Sequence, residues 1–245
     1  MTAPGLSRHA RHVALAQVGA DGQERIAKSS ALLIGVGGIG CSTASYLAAS
    51  GVGHLVLCDF DTIDATNLGR QILYGPDDVG KPKAEVAARR LGVINPDIQI
   101  EAVTHRLDDV ELAAAVAKAD VVLDGSDNFS TRFQVNDACV AAETCLIAGA
   151  AIRLEGQVTE FGPDYETSPC YRCLYKEADE SLENCAGNGV LSPVPGTIGA
   201  LMAVEALKFL AGISSRRGVL RLFDAVNGEF RAVAVNKRPD CPACG

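Results

Sequence analysis

A glycine-rich turn at residues 35–40 has the composition of a phosphate-binding loop. The apolar stretch LLIGVGGIG, residues 32–40, contains GxGxxG at Gly35, Gly37 and Gly40, and Gly38 removes a further side chain. Residues without side chains let a phosphate approach backbone N–H groups where a helix begins. Asp59, nineteen residues after Gly40, could accept hydrogen bonds from ribose hydroxyls. The pattern fits a dinucleotide such as NAD, a different nucleotide phosphate, or a tight turn without a ligand.

The stretch after Asp59 carries cations that a dinucleotide would not need. DFDTIDATNLGRQ, residues 59–71, contains Asn67 and Arg70, and GKPK at 80–83 places Lys83 at the start of a predicted helix. The planar guanidinium of arginine and the point charge of lysine both bind phosphate oxygens. Together they predict a clamp for a triphosphate, although either cation alone would be interpreted as a solvated surface charge.

Two carboxylates follow another apolar run. In DGSDN, residues 124–128, Asp127 lies where the phosphates of ATP would reach, and a hard oxygen ligand there suits Mg²⁺. Asp127 could instead cap the helix predicted from about residue 128, or it could do both.

Two CxxC pairs predict a metal site. CYRC contributes Cys170 and Cys173, and CPAC contributes Cys241 and Cys244, with 67 residues between the pairs. Thiolates suit Zn²⁺, and four protein ligands leave no open position for a substrate, so the pattern favours a structural site. The alternative is a redox CxxC, but neither pair follows a thioredoxin-like strand and opens a helix.

The remaining cysteines divide into two groups. Cys41, Cys58, Cys139 and Cys145 fall in predicted apolar elements and are interpreted as small core residues. Cys185 lies instead in the polar stretch EADESLENCAGNGVLSPVPG, residues 177–196, where it could be a nucleophile or simply exposed. Its acidic neighbours would not lower the pKa of its thiol.

An alternation of strands and helices positions these residues. Apolar runs predict strands at 31–36, 54–59, 98–105, 120–125 and 145–151, separated by helices at 39–49, 83–91, 110–117 and 128–142. This alternation predicts a Rossmann-like, doubly wound, mainly parallel α/β sheet with ligands at the carboxyl ends of its strands.

The alternation of strands and helices ends after residue 151. Antiparallel strands are predicted at 156–162, 219–224 and 229–235, with a helix at 197–210. The stretch 163–195 is rich in Pro, Gly and Asn, and it is interpreted as a long loop that is either a functional lid or docking segment or else disordered.

Composition narrows the class of protein. The 245 residues carry a net charge of -8 with 48% hydrophobic residues, which fits one globular domain and argues against a broad nucleic-acid surface. The uncharged stretch 29–58 is long enough for a membrane span, but glycine clusters divide it into strands and a helix. No apolar signal segment opens the sequence, so we expect a cytoplasmic, reducing environment without disulfides.

These motifs occur together in an order that resembles the MoeB/ThiF/HesA family of ubiquitin-activating-enzyme-like adenylyltransferases. The similar features are GxGGxG, DFD followed by NLxRQ, GKPK, DxxDN and the split CxxC pairs, and they extend from about residue 8 to residue 244. Each motif alone is weak, whereas the ordered set is specific.

The resemblance implies an activity and its partners. Such an enzyme uses ATP and Mg²⁺ to adenylate the C-terminal glycine of a ubiquitin-like sulfur-carrier protein ending in Gly-Gly, and it releases pyrophosphate. The family also implies a C2 homodimer and a structural Zn²⁺. It implies one domain over 1–245, made of a helical arm (1–28), a nucleotide-binding half (29–151) and a carrier-binding half (152–245) with a crossover loop at 175–195 and the zinc site.

The resemblance also assigns residue roles. Asp59 is similar to the ribose ligand, Asp127 to the acid that holds Mg²⁺, and Arg11 to the arginine that the family lends to the neighbouring subunit, although a plain helix-surface charge is the alternative for Arg11. Cys185 matches a loop cysteine that forms a sulfur link in ThiF-like members and is dispensable in MoeB-like members. The implied nucleotide contacts are Gly35, Gly37, Gly38, Gly40, Asp59, Asp61, Asn67, Arg70, Lys83, Asp127 and Asn128.

The branch of the family and the pathway stay open at this point. GAAIRLEGQVT at 149–159 resembles the molybdopterin branch, whereas VLRLFD at 219–224 resembles the thiamine (thiazole) branch. No sulfurtransferase domain follows residue 245, so we expect a separate sulfur donor, either a cysteine desulfurase or a sulfurtransferase.

The alternatives to an adenylyltransferase are an NAD-dependent oxidoreductase and a non-catalytic zinc-stabilised scaffold that binds a ubiquitin-like protein. A third alternative is a tRNA-modifying dehydratase of the same superfamily, which the acidic net charge disfavours.

Overall fold

A computed structural model of the protein describes residues 8–176, 189–214 and 216–245. Within these residues one sheet runs in the order β3-β2-β1-β4-β5-β6-β7-β8. Its strands are β1 (Ser30–Ile34), β2 (His54–Cys58), β3 (Gln99–Val103), β4 (Val121–Asp124), β5 (Cys145–Ile152), β6 (Glu155–Phe161), β7 (Val219–Asp224) and β8 (Glu229–Ala234). Strands β1 to β5 pair in parallel, and β6 to β8 pair antiparallel. The predicted fold class is therefore confirmed.

Helices connect and cover these strands. The α-helices are α1 (Ala10–Val13), α2 (Gly19–Lys28), α3 (Gly38–Ser50), α4 (Lys83–Ile94), α5 (Asp109–Val116), α6 (Phe129–Ala141), α7 (Tyr171–Leu174) and α8 (Pro193–Leu210). Two short 3₁₀ helices, Ala65–Asn67 and Pro76–Asp78, lie between β2 and α4. The first two α-helices lie within residues 1–28, and the division of the chain into an arm and two functional halves stays a prediction.

The apolar runs are buried because both faces of the sheet are covered. Successive strand residues point to opposite faces, so Leu33 joins a core beneath α3, α4 and α8, while Leu32 joins a second core beneath α5 and α6. The four cysteines predicted to be core residues, Cys41, Cys58, Cys139 and Cys145, are all buried.

The order in which successive strands join the sheet reverses at β1. From β1 the chain adds β2 and β3 on one side, and it then crosses back to add β4 and β5 on the other side. A crevice opens at the carboxyl ends of neighbouring strands where such a reversal occurs. The crevice between β1 and β4 therefore positions the candidate site.

Several predicted boundaries differ from the structure for local reasons. The strand predicted at 31–36 ends at Ile34, because Gly35 adopts a positive φ of 84° and turns the chain out of the sheet. The helix predicted at 197–210 begins at Pro193, in agreement with the tolerance of proline in a first helical turn. The stretch predicted as a loop at 163–195 contains α7, and residues 177–188 lie outside the described part of the chain.

Among the described residues, α8 is the one helix long and apolar enough to cross a membrane, judged by length and composition. It packs against α3 and β5, and half of it is buried. This is the behaviour of a core helix.

Candidate nucleotide site and cysteine cluster

A cavity of about 590 Å³ opens in the crevice between β1 and β4. Its wall includes ten of the residues predicted to contact a nucleotide: Gly35, Gly37, Gly38, Asp59, Asp61, Asn67, Arg70, Lys83, Asp127 and Asn128. These residues come from separate elements, and the fold brings them to one place. Gly40 and Arg11 are not part of the wall.

The glycines of the turn have different structural roles. A Cβ added at Gly40 would lie 2.1 Å from the Gly35 carbonyl oxygen, so this glycine permits α3 to pack on the turn. A Cβ at Gly37, the N-cap of α3, would come no nearer to another group than 3.7 Å, from the Gln71 amide nitrogen. Gly37 is therefore bare on the side where a ligand would approach.

Asp59 fastens the glycine turn to the end of β2. One carboxylate oxygen accepts the Val36 N–H at 2.7 Å, and the other accepts the Asp61 N–H at 3.0 Å. Burial raises the pKa of Asp59 above its ordinary value, although the Lys83 charge and the two backbone hydrogen bonds oppose the shift. The carboxylate lies in the cavity wall, and its contact with a ribose stays a prediction.

The predicted phosphate clamp has one buried and one half-buried cation. The Lys83 ammonium donates to the Asp61 carboxylate at 2.8 Å, and its side chain is only 8% exposed. The Arg70 guanidinium donates to the Thr66 carbonyl at 3.1 Å. The Asn67 side-chain oxygen accepts the Asp64 N–H at 3.0 Å, which stabilises the 3₁₀ segment Ala65–Asn67 just before Arg70.

The helix cap that follows β4 is Asn128, not Asp127. The Asn128 side-chain oxygen accepts the Thr131 N–H at 2.9 Å, so the alternative interpretation of Asp127 as the cap of α6 is wrong. The Asp127 side chain is exposed at the cavity, and the Asn128 amide lies 3.5 Å from one of its oxygens. A carboxylate in this position is accessible to a cation.

Sequence reasoning missed other residues around the cavity. Gln71 is 3% exposed, and its side-chain oxygen is buried without a hydrogen-bond partner among the described residues. The Tyr74 hydroxyl donates to the Val36 carbonyl at 2.7 Å, and Arg132 is buried in the wall. The position of Gln71 directly after Arg70 could have marked it, whereas no local pattern marks Tyr74 or Arg132.

One cysteine lies on the cavity wall. Burial raises the pKa of the Cys58 thiol to about 12, with smaller contributions from Glu101 and Asp59. Cys58 is therefore a neutral thiol near pH 7, and it is a poor nucleophile.

Arg11 lies on the surface away from the cavity of its own chain. It belongs to α1, whose neighbouring residues fix the arm: Arg8 donates to the Ile94 carbonyl, and His12 contacts the Gln23 side-chain oxygen, each at 3.0 Å. The proposed contact of Arg11 with a second subunit stays a prediction.

The four predicted zinc ligands converge. The sulfurs of Cys170, Cys173, Cys241 and Cys244 all lie within 4.8 Å of one another. The Cys170–Cys241 and Cys173–Cys244 sulfur pairs are 3.6 and 3.5 Å apart, far longer than a disulfide bond of about 2.05 Å. Four sulfurs at about 2.3 Å from a tetrahedral Zn²⁺ would lie about 3.8 Å apart, so the cluster fits that ion. Cys185 lies outside the described residues.

The comparisons with known proteins agree with this arrangement. The sequence model of the ThiF family matches residues 9–243. The chain is 44% identical over 238 residues to the sulfur carrier protein ThiS adenylyltransferase of Escherichia coli K12, covering 97% of this chain and 94% of the relative. It is also 44% identical over 239 residues to the molybdopterin-synthase adenylyltransferase of the same organism, covering 97% and 96%.

A solved structure with this fold has been determined with a nucleotide. The crystal structure of Escherichia coli MccB with ATP superposes with a TM-score of 0.80 at 27% identity, covering 92% of this chain and 69% of that chain.

Proposed function

The chain belongs to the ThiF family, and from this premise we propose that it uses ATP to adenylate the C-terminal glycine of a ubiquitin-like sulfur-carrier protein. The family match confirms the resemblance that the ordered motifs indicated. The oxidoreductase alternative loses its support, because the glycine turn and Asp59 belong to a chain of this family and not of a dehydrogenase family.

One observation carries the proposal. The bare glycine turn, the ribose-side carboxylate of Asp59, the cations of Arg70 and Lys83, and the exposed carboxylate of Asp127 surround a single cavity. A nucleoside triphosphate presents a ribose and a chain of anionic phosphates in that order, so the polar groups match its chemistry.

The reaction is an attack of one anion on another. A carboxylate oxygen of the carrier attacks the α-phosphorus of ATP, the bond from that phosphorus to the bridging oxygen breaks, and pyrophosphate leaves with the electron pair. Charge repulsion opposes this step, so the cations Arg70 and Lys83 contribute by neutralising the phosphates. Asp127 would hold Mg²⁺, which supplies further neutralising charge when it is bound with ATP.

The carrier tail must reach the α-phosphate. The cavity extends beyond the nucleotide residues along Ala150, Gly156 and Gln157 of β5 and β6, and Pro195 of α8 borders it. Gly156, Gln157 and Pro195 belong to residues 152–245, which supports the proposal that this part of the chain is the carrier-binding half. Positioning of a flexible tail there would contribute much of the remaining rate enhancement.

Two carriers are equally supported. The two Escherichia coli relatives are named for ThiS and for molybdopterin synthase, and both are 44% identical to this chain. We therefore propose a ThiS-like or MoaD-like carrier with a Gly-Gly terminus, in thiamine or molybdopterin biosynthesis. A separate cysteine desulfurase or sulfurtransferase would then supply sulfur to the adenylate.

The assembly and the metal belong to the same proposal. Cys170, Cys173, Cys241 and Cys244 would hold a structural Zn²⁺, which would connect the middle of the chain to its C-terminal segment. We propose a C2 homodimer in which Arg11 of each subunit reaches the nucleotide of the other.

Carrier-dependent chemistry tests the function. The protein is incubated with ATP, Mg²⁺ and either a ThiS-like or a MoaD-like carrier, and mass spectrometry measures the carrier. We expect a carrier heavier by one AMP, pyrophosphate exchange that requires the carrier, and no competition by NAD. A carrier without its last glycine is the matched control. Failure to modify either intact carrier would refute the proposal.

The role of Cys185 needs its own test. If its thiol forms a sulfur link, Cys185→Ala should abolish thiocarboxylate formation on the preferred carrier while leaving pyrophosphate exchange intact. Full sulfur transfer by this variant would exclude the covalent role.

A further inference from the structure

We propose that Arg132 is a positioning residue that couples the cysteine cluster to the Asp127 turn of the nucleotide site through the hydroxyl of Tyr171. The inference extends the proposed function, because it rests on nucleotide binding in the cavity between β1 and β4.

The Arg132 guanidinium joins three separate parts of the fold. Its Nη2 donates to the Ser126 carbonyl at 2.6 Å and to the Gly149 carbonyl of β5 at 3.3 Å. Its Nη1 donates to the Tyr171 hydroxyl at 3.2 Å. The residue is 3% exposed, so these hydrogen bonds are made away from competing water.

One end of this connection is next to the proposed magnesium ligand. Ser126 immediately precedes Asp127, and its own N–H donates to the Asp124 carboxylate at 2.9 Å. The turn is therefore held by a carboxylate on one side and by Arg132 on the other. A shift of the guanidinium would move the Ser126 carbonyl, and with it the backbone of Asp127.

The other end lies inside the cysteine cluster. Tyr171 is the first residue of α7, a single helical turn, and is 2% exposed. Cys170 caps this turn and Cys173 lies within it, so a metal held by the converging sulfurs would fix the backbone that carries the Tyr171 ring. Metal binding and local order are coupled in sites of this kind.

Further contacts hold α7 against α6. The Tyr171 N–H donates to the side-chain oxygen of Asn136 in α6 at 2.8 Å. Arg172 forms a forked pair with Asp137 of α6 at 2.7 and 2.8 Å, and its guanidinium carbon lies 4.3 Å from the centre of the Phe133 ring. Since α6 begins directly after Asn128, α7 is tied to the helix whose first turn adjoins Asp127.

This arrangement has a thermodynamic consequence. If the cluster and the nucleotide favour the same position of Arg132, each ligand must raise the equilibrium affinity for the other by the same factor. A purely structural arginine would stabilise the fold but would not transmit nucleotide occupancy to the metal.

The test measures zinc loss from the intact holoprotein. Zinc transfer to a metallochromic chelator is followed with and without saturating ATP and Mg²⁺, without carrier, so that no turnover occurs. We expect ATP to slow zinc transfer from the unsubstituted protein by about fivefold or more, because tighter binding appears mainly as slower dissociation. Tyr171→Phe keeps the ring and removes the hydroxyl, and it should abolish the slowing while still binding zinc and ATP.

Two more variants complete the experiment. Tyr165→Phe removes another buried hydroxyl beside the cluster, one that donates to the Thr144 carbonyl at 2.9 Å, and it should retain the slowing. Arg132→Lys keeps the charge but loses the forked geometry, and it should behave like Tyr171→Phe. ATP affinity is measured for every variant by calorimetry, so that each is compared at saturation.

The outcomes are distinguishable. Equal slowing in Tyr171→Phe and the unsubstituted protein, or no slowing although ATP binds, would overturn the coupling and leave the proposed function intact. Absence of ATP binding to the unsubstituted protein would overturn both.

Discussion

The ammonium group of Lys83 lies 2.8 Å from a carboxylate oxygen of Asp61 in the wall of the cavity between β1 and β4. The lysine side chain is 8% exposed and the aspartate side chain 54% exposed, so a buried cation is paired with an anion that faces solvent. A buried charge is costly unless it is paired. Asp61 therefore provides a counter-ion that a phosphate group can replace without leaving Lys83 uncompensated.

The first prediction follows from this pair. Lys83→Met should lower kcat/KM for carrier-dependent pyrophosphate exchange by about 100-fold or more, because a cation that stabilises phosphate charge is lost. Asp61→Asn should cost less, about tenfold, because the amide still accepts a hydrogen bond but no longer holds the ammonium by charge.

Lys81→Met is the matched control for the first prediction. Lys81 is two residues from Lys83, is 48% exposed and pairs with Asp78 outside the cavity. It should keep nearly full exchange activity. A Lys83→Met enzyme as active as the Lys81→Met enzyme would contradict the clamp.

The second prediction separates catalysis from scaffolding. Asp127→Ala should abolish pyrophosphate exchange, because no carboxylate remains to hold Mg²⁺ at the phosphates, while carrier binding measured by calorimetry is retained. Asp77→Ala changes an exposed aspartate outside the cavity and should leave both measurements unchanged. Retention of biological activity by Asp127→Ala would favour the non-catalytic scaffold.

Local patterns predicted the fold and much of the site. Apolar runs and glycines determine local structure within a few residues. The strands, the turn at Gly35 and the position of Asp59 at the carboxyl end of a strand could therefore be predicted from the sequence. The CxxC spacing likewise anticipated that Cys170 and Cys241 meet, although 71 positions separate them in the chain.

Other features depend on tertiary approach and have no local signal. Arg132 meets Tyr171 across 39 positions, and nothing near either residue indicates this contact. The choice of Asn128 over Asp127 as helix cap depended on the backbone angles of the turn, which composition does not determine. The Asp61–Lys83 ion pair likewise arises only when the segment after β2 folds against the start of α4.

The third prediction uses two glycines with different surroundings. Gly37→Ala should leave the thermal midpoint nearly unchanged, because its methyl group would meet nothing nearer than 3.7 Å. It should weaken ATP binding, because the methyl group takes space that the phosphates need, and a displacement of the phosphates by about 1 Å should lower the exchange rate by about 100-fold. Gly40→Ala should lower the thermal midpoint, because its methyl group would lie 2.1 Å from the Gly35 carbonyl oxygen.

Thermal unfolding and calorimetric ATP titration check both glycine variants. A Gly37→Ala protein that binds ATP normally would place the phosphates elsewhere. A Gly40→Ala protein as stable as the unsubstituted chain would contradict the packing role of that residue.

The fourth prediction concerns pH. Burial raises the pKa of Asp59 above its ordinary value of 3.8, so acidification protonates this carboxylate earlier than an exposed one. The protonated form loses acceptor capacity for the ribose, and nucleotide affinity should therefore fall with decreasing pH, beginning above pH 3.8. The folded state behaves in the opposite sense: the cost of burying the ionised carboxylate is full above the folded pKa and vanishes below 3.8.

Asp59→Asn isolates this effect. The variant should bind ATP more weakly near pH 7, and the ratio of the two affinities should shrink as the pH falls. The phosphates of ATP titrate equally in both experiments and cancel in the ratio. A ratio that does not change with pH down to 3.8 would contradict the raised pKa or the ribose contact.

The last prediction concerns the cysteine cluster. The protein should contain one zinc per chain, and Cys241→Ser should lose the metal and lower the thermal midpoint, because the connection between the Cys170–Cys173 pair and the C-terminal segment is lost. Cys139→Ala is the control: Cys139 is fully buried in the same apolar core but is not one of the four converging sulfurs, so its variant should keep the zinc even if its stability falls. Elemental analysis and thermal unfolding distinguish the two effects. Equal zinc content in both variants would show that Cys241 is not a ligand, and the cluster would then need another explanation for its 3.6 Å sulfur contact.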